Sequence, residues 1–187
     1  MRQMAGKHLV LDVCCGSRMF WFDRANPLTV FADVRHETHL LKDKSSKGGY
    51  RTSVIAPDIR SDFTKLPFRS NHFAHVVFDP PHFNRNGQSG WIAKTYGTIG
   101  SNWRQELRLG FAECFRVLRP EGTLVFKWNS GDIPVSRILE LTPRKPLYGN
   151  RCGKTAKTHW ITFIKCGAEF DQPEPAQIEL GAETEGT

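Results

Sequence analysis

Asp79-Pro80-Pro81-His82 is the segment of this chain best suited to chemistry. It follows His75-Val76-Val77-Phe78, an apolar run that predicts a short buried β-strand. An acid and two prolines therefore stand where the chain leaves a sheet edge, the usual place for ligands in an open α/β sheet. Two consecutive prolines fix φ twice and remove two N–H donors. The carbonyls around them are held rigid and are free to accept. One carboxylate oxygen beside one backbone carbonyl suits a planar –NH₂ group, which has two N–H donors to place. A plain turn explains Asp-Pro-Pro equally well when the segment is taken alone, so the surrounding pattern decides.

A second group of candidates precedes it. Asp12, Asp33 and Asp58 each fall at or near the end of an apolar strand-like run: 8–13, 28–32 and 52–56. In a doubly wound sheet those three tips converge on one crevice. An acid closing the second strand can bind two ribose hydroxyls, and one closing the third can accept from an exocyclic amine. An adenosine-containing cofactor fits both. The first loop, Asp12-Val13-Cys14-Cys15-Gly16-Ser17-Arg18, has neither G-x-G-x-x-G nor G-x-x-x-x-G-K-[ST]. A dinucleotide and a nucleoside triphosphate are both disfavoured, and a cofactor without phosphates is favoured.

The elements that must position these residues alternate strand and helix. The pattern predicts a short aromatic-rich helix from Met19 to about Ala25 and a frayed helix and loop over 36–50. Apolar residues Trp103, Leu107, Phe111, Cys114, Phe115 and Leu118 recur at spacings of three and four, which predicts an amphipathic helix with Ser101 or Asn102 as its cap. Arg119-Pro120-Glu121-Gly122 ends it, and 123–128 reads as strand five. A helix over 135–141 and two last strands near 146–148 and 159–165 complete the pattern. Five strand–helix repeats imply a doubly wound, mostly parallel sheet with right-handed crossovers, and the last pair implies an antiparallel strand at one edge.

Taken together, Asp12…Cys15-Gly16-Ser17, Asp33, Asp58, Leu66-Pro67-Phe68, Asp79-Pro80-Pro81-His82 and Leu118-Arg119-Pro120-Glu121-Gly122 resemble the class I S-adenosylmethionine-dependent methyltransferases. Within that class the chain is similar to the amino-methyltransferases that modify exocyclic nitrogens of nucleic-acid bases, in a short, phage-like form. The resemblance covers roughly residues 8–128. It implies a Rossmann-like, seven-stranded sheet with an antiparallel edge strand. It implies S-adenosylmethionine as cofactor, held by Asp12, Cys15, Gly16, Ser17, Asp33, Asp58 and Ile59. Catalysis falls to Asp79, Pro80, Pro81 and His82, with His82 or Phe83 stacking on the base. Arg18 stands where the family's further glycine is usual, and its side chain could meet the methionine carboxylate. A cytosine-C5 mechanism needs a nucleophilic cysteine in a Pro-Cys pair, which this chain lacks. Cys14, Cys15 and Cys114 are read as packing or loop residues.

Composition sets the partner. The net charge is +7, unevenly spread. From Glu169 onward there are six acids and no Lys or Arg, so residues 1–168 hold all 26 basic residues against 13 acids. A body this basic attracts polyanions. Two basic, glycine-containing loops supply the grip: Arg85 and Lys94, with Trp91 and Tyr96 as stacking groups, and Arg151, Lys154 and Lys157. One domain over 1–168 with an acidic, disordered tail over 169–187 is the expected organisation. The five cysteines show no disulfide or zinc spacing. No secretory leader or membrane-length apolar run is seen, so a cytoplasmic protein without a metal or membrane partner is expected. DNA adenine N6 is the favoured target and RNA adenine N6 the alternative. A protein amide and a non-catalytic nucleic-acid binder remain as further readings.

Overall fold

The computed structural model describes residues 8–82, 97–150 and 157–166. Phe83, Arg85, Trp91, Lys94, Tyr96, Arg151, Lys154 and the acidic tail lie outside them.

Seven strands form one sheet. In chain order the strands are β1 (Val10–Asp12), β2 (Thr29–Asp33), β3 (Glu37–Lys42), β4 (Tyr50–Ile55), β5 (Ile59–Arg60), β6 (Phe73–Phe78), β7 (Leu118–Asn129), β8 (Tyr148–Gly149) and β9 (Thr158–Ile164). The helices are α1 (Trp103–Val117) and α2 (Val135–Leu139). The main sheet runs β5-β2-β1-β6-β7-β9-β8, while β3 and β4 form a separate two-stranded ribbon. Strands β5, β2, β1, β6 and β7 pair in parallel, and β9 is antiparallel to both β7 and β8. The mostly parallel sheet with an antiparallel strand near one edge is the expected fold class. The antiparallel strand is one place in from the rim, covered by the two-residue β8.

The connections depart from expectation. Residues 19–25 form turns rather than a helix. Their aromatic rings are drawn into tertiary contacts instead: Trp21 lies edge-on to Phe31, and Phe20 edge-on to Trp160. The segment 36–50 contributes β3 and the start of β4, an antiparallel hairpin closed by the Ser45–Gly49 turn. The strand expected over 52–56 is therefore a ribbon strand, and the third strand of the main sheet is the two-residue β5 beside β2. Asp58 precedes that strand instead of closing it. The helix cap also differs: Asn102 occupies the cap position without a side-chain hydrogen bond.

Helix α1 packs Trp103, Leu107, Phe111, Cys114 and Phe115 onto the sheet. Phe111 meets Phe78 of β6 edge-on at 5.6 Å and Phe126 of β7 at 4.9 Å. Close approach is possible because Gly110 faces the sheet: a Cβ there would stand 2.7 Å from Phe78 and 2.8 Å from Phe63. Phe78 is thus clamped immediately before Asp79. At the other end of α1, Arg116 pairs with Glu113 and donates to the carbonyls of Leu66 and Phe68, while Glu113 accepts from the Leu66 amide. This network ties the Leu66-Pro67-Phe68 segment to the helix. The chain after α1 does not break off at Arg119–Gly122. It bulges within β7, with Glu121 at φ +63°, and rejoins the ladder at Thr123.

Among the described residues no helix is long and apolar enough to cross a membrane, and no group of His, Cys, Asp and Glu could hold a metal ion.

Candidate active site

The C-terminal ends of β2, β1, β6 and β7 lie side by side, so Asp33, Asp12, Asp79 and Lys127 gather at one edge of the sheet. Burial there makes every polar partner matter.

Asp12 is fully buried. Its Oδ1 accepts from the Cys14 amide at 3.2 Å and its Oδ2 from Trp21 Nε1 at 2.7 Å. Burial raises its pKa to about 7 against the pull of those two donors, and the charges of Asp79 and Asp33 add to the rise. Asp12 therefore holds the loop in place rather than facing a ligand. Gly16, at φ +50°, donates its amide to Asp33 Oδ2 at 2.9 Å. Asp33 also accepts from the backbone N–H and Nε of Arg35, at 2.9 and 3.2 Å. Both oxygens of this expected ribose acceptor are thus engaged by protein donors.

Asp58 binds within the protein as well. Its Oδ2 accepts from the Phe31 amide at 2.9 Å and its Oδ1 from Arg18 Nη2 at 3.1 Å. Arg18 also donates to the carbonyls of Arg24 and Ala56, and its guanidinium lies 3.8 Å from the Phe31 ring centre. The expectation that Arg18 meets a cofactor carboxylate gives way to a structural role: it staples the first loop to the chain before β5. Ile59 in β5 packs against the core.

Two cavities open at this edge. The larger, about 270 Å³, is lined by the Cys14–Ser17 loop, Met19 and Phe20 on one side, and by Asp79, Pro80, His82 and Lys127 on the other. The smaller, about 50 Å³, has walls of Val13, Val34, Phe63 and Pro81, with Asp33 and Ser61 as polar groups. Cys14, Arg35 and Asp79 line both. Three buried polar atoms around them have no hydrogen-bond partner: Arg35 Nη1, Ser61 Oγ and Asp79 Oδ1. Such orphans are costly in a native interior, and each calls for a partner such as a water, an ion or a ligand.

Asp79 and Lys127 form the central pair. Lys127 Nζ donates to Asp79 Oδ2 at 2.6 Å, with both side chains largely shielded from water. Burial pushes the Asp79 carboxyl up, while the Lys127 charge and hydrogen bond oppose the rise. His82 is buried, and its ring lies edge-on to Trp128. Its Nδ1 is 3.2 Å from the Pro80 carbonyl, which makes that nitrogen the donor. One lone pair of the carbonyl expected to receive a substrate amine is therefore already used. Burial lowers the His82 pKa, against the opposing influence of Asp79 and the Pro80 carbonyl, so the ring is neutral at neutral pH.

The sequence-derived set divides clearly. Cys15, Gly16, Ser17, Asp33 and the Asp79–His82 segment converge on the cavities, with Asp12 behind them. Asp58 and Ile59 stand back from them, and Lys157 is exposed at the start of β9, its carbonyl bonded to the Ser130 amide. Arg35, Ser61, Phe20 and the pairing of Lys127 with Asp79 were not anticipated. Only Lys127 carried a signal, as a charged residue ending a buried strand. Burial raises the pKa of Cys14, Cys15 and Cys114, the Cys15 thiol to about 12, so none is poised as a nucleophile.

No protein-family model and no curated protein matches the sequence. Solved structures do share its shape. The PH0226 protein of Pyrococcus horikoshii OT3 aligns with a TM-score of 0.51 at 15% identity, over 88% of this chain and 85% of that one. The [4+2]-cyclase SpnF aligns with a TM-score of 0.51 at 12% identity, over 86% and 75%. These identities establish a shared fold and nothing of the reaction. A Leishmania major protein named as an S-adenosylmethionine-dependent methyltransferase aligns more loosely, with a TM-score of 0.48 at 14% identity over 87% and 66%.

Proposed function

We propose that this chain is an S-adenosylmethionine-dependent methyltransferase acting on an exocyclic amino group of a nucleic-acid base, with adenine N6 of DNA as the favoured target. The observation that carries the reading is Asp79: a buried carboxylate at the end of β6 that lines both cavities, as Cys14 does, with its Oδ1 unmatched by a hydrogen bond and 3.9 Å from His82 Nδ1. The fold by itself does not choose the reaction, since one protein of the same shape is named a cyclase. The weight rests on the Asp-Pro-Pro-His segment and its surroundings.

The residues fit the cofactor. The smaller cavity joins apolar walls to Asp33 and the unpartnered Ser61 hydroxyl, polar groups suited to the hydroxyls of a nucleoside that reaches in from the larger cavity. The unpartnered Arg35 Nη1 suits a carboxylate. The uncharged state of His82 adds no repulsion against a sulfonium. When bound, S-adenosylmethionine supplies a methyl carbon whose bond to sulfur breaks, its electron pair leaving on sulfur, as the amine lone pair forms the new N–C bond.

The chain's own part is orientation and charge. Asp79 Oδ1 accepts one amine N–H and so fixes where the nitrogen lone pair points. Positive charge grows on that nitrogen during attack, and a fixed carboxylate stabilises it more in the transition state than in the ground state. Lys127 opposes the rise that burial imposes on the Asp79 carboxyl. The amine proton then passes to Asp79 Oδ1, an oxygen that burial has made a better base. The prolines hold this acceptor rigid. The excess of basic residues over 1–168 favours a polyanion as partner, and a base in a duplex must be extruded to reach the site.

The test is to incubate the protein with methyl-labelled S-adenosylmethionine and, separately, single-stranded DNA, duplex DNA, RNA and a protein extract. Label in DNA, lost in Asp79→Ala, is expected. Label in RNA alone would move the target to RNA adenine, and label only in protein would overturn the nucleic-acid reading.

A further inference from the structure

The Asp79–Lys127 pair narrows the substrate beyond "an amine", granted the methyl-transfer reading above. A lone carboxylate offers two acceptor oxygens and suits both N–H groups of one –NH₂. Here Oδ2 already accepts from Lys127 Nζ at 2.6 Å, while Oδ1 has no hydrogen bond and lies 3.9 Å from His82 Nδ1. The ammonium has three N–H donors, and Asp79 Oδ2 is its one hydrogen-bond partner among the described residues. Its other neighbours are ring faces, Phe20 at 5.4 Å and Trp160 at 5.5 Å from their centres. Both Asp79 and Lys127 line the larger cavity. The site therefore presents one acceptor beside one donor.

We propose that Lys127 is a specificity-determining residue that reads the ring nitrogen next to the target amine. Asp79 Oδ1 accepts the amine N–H, while Lys127 donates to the lone pair of the adjacent ring nitrogen. That selects an edge in which an amino group sits beside an unprotonated ring nitrogen, as in adenine and cytosine. Guanine offers this order only on its N3 side, because N1 on the other side of its amine carries a hydrogen and turns a donor toward the ammonium. The site rejects a simple alkyl amine, which leaves the lysine without a partner. A carboxamide has the same donor–acceptor order, but the basic composition, 26 basic residues against 13 acids up to residue 168, favours a polyanion. The aromatic floor from Phe20 suits a flat ring over a flexible side chain.

The experiment compares oligonucleotides containing a single adenine with the same oligonucleotides containing 1-deazaadenine, which keeps the amine and replaces the ring nitrogen with C–H. Single-turnover methyl transfer is measured for the wild-type protein, Lys127→Met and Lys127→Arg, each in DNA and in RNA. Wild type is expected to prefer adenine by about 10- to 100-fold, since a site built around a hydrogen bond discriminates strongly against its absence. Lys127→Met loses most of that preference, and Lys127→Arg retains it. Equal rates on both substrates in the wild type overturn the role of Lys127 while leaving amine methylation standing. Transfer to neither substrate overturns both. If Lys127→Met does not fold, Lys127→Leu takes its place, and equal rates in the wild type still overturn the role of Lys127.

Discussion

The two halves of this sheet edge are built in opposite ways. On the β1–β2–β5 side, every acid is already paired: Asp12 with Trp21 and Cys14, Asp33 with Gly16 and Arg35, Asp58 with Phe31 and Arg18. On the β6–β7 side, Asp79 is only half engaged, and the free half is Oδ1. Acids on the first side therefore hold the loop that a cofactor would rest on, and removing them costs structure together with affinity. Asp79 sits on a rigid diproline segment behind Phe78, so its free oxygen can serve a substrate without being needed to hold the fold.

The sharpest way to break this contrast is Asp79→Asn. The amide keeps the shape but can donate where the carboxylate accepts. Single-turnover transfer is expected to fall by about 10²–10³-fold, the usual scale for one preorganised charge-stabilising group. Cofactor affinity, measured by calorimetry, should stay within about threefold.

Asp12 tests the paired side through pH. Its folded pKa, about 7, lies above the ordinary 3.8. The native state then holds a proton that the unfolded chain has released, so the contribution of Asp12 to stability is greatest at low pH. It falls as pH rises from about 4 to 7, by on the order of 4 kcal/mol across the window. Thermal or urea unfolding of Asp12→Asn should lack this slope, whatever its absolute stability. An identical slope in the variant would assign the effect elsewhere.

Asp33→Ala should weaken S-adenosylmethionine binding by about 10- to 100-fold, the scale of a lost charge-assisted hydrogen bond, and lower the melting temperature as well. A loss of affinity without any loss of stability would contradict its double use. Arg18→Met is the mildest change. Asp58 is well exposed, so the ion pair adds little, and unfolding should show a cost of about 1 kcal/mol with cofactor affinity little altered.

Legibility in the sequence followed the same divide. Asp33 and Asp79 could be placed because each ends an uninterrupted apolar run, and α1 because its apolar spacing is regular. Strand β5 was illegible, since two residues carry no periodicity. Of the ribbon, the strand over 52–56 was legible, but β3 and the pairing of the two were not, because they leave residues such as Leu40 and Val54 exposed and bury little to mark them. The turns over 19–25 look helical in composition, but Trp21 is committed to Asp12 and Phe31, contacts that no local pattern reveals. Lys127 could be seen as a charge ending a strand. Its partner, 48 residues away, depends on β6 lying beside β7.

The most direct measurement is to digest the methylated polymer to nucleosides and identify the product by mass spectrometry. N6-methyladenine is expected, formed by the wild type and absent with Asp79→Asn. A methyl group on a ring carbon or ring nitrogen, or the same product from Asp79→Asn, would contradict the role given to the free Asp79 oxygen.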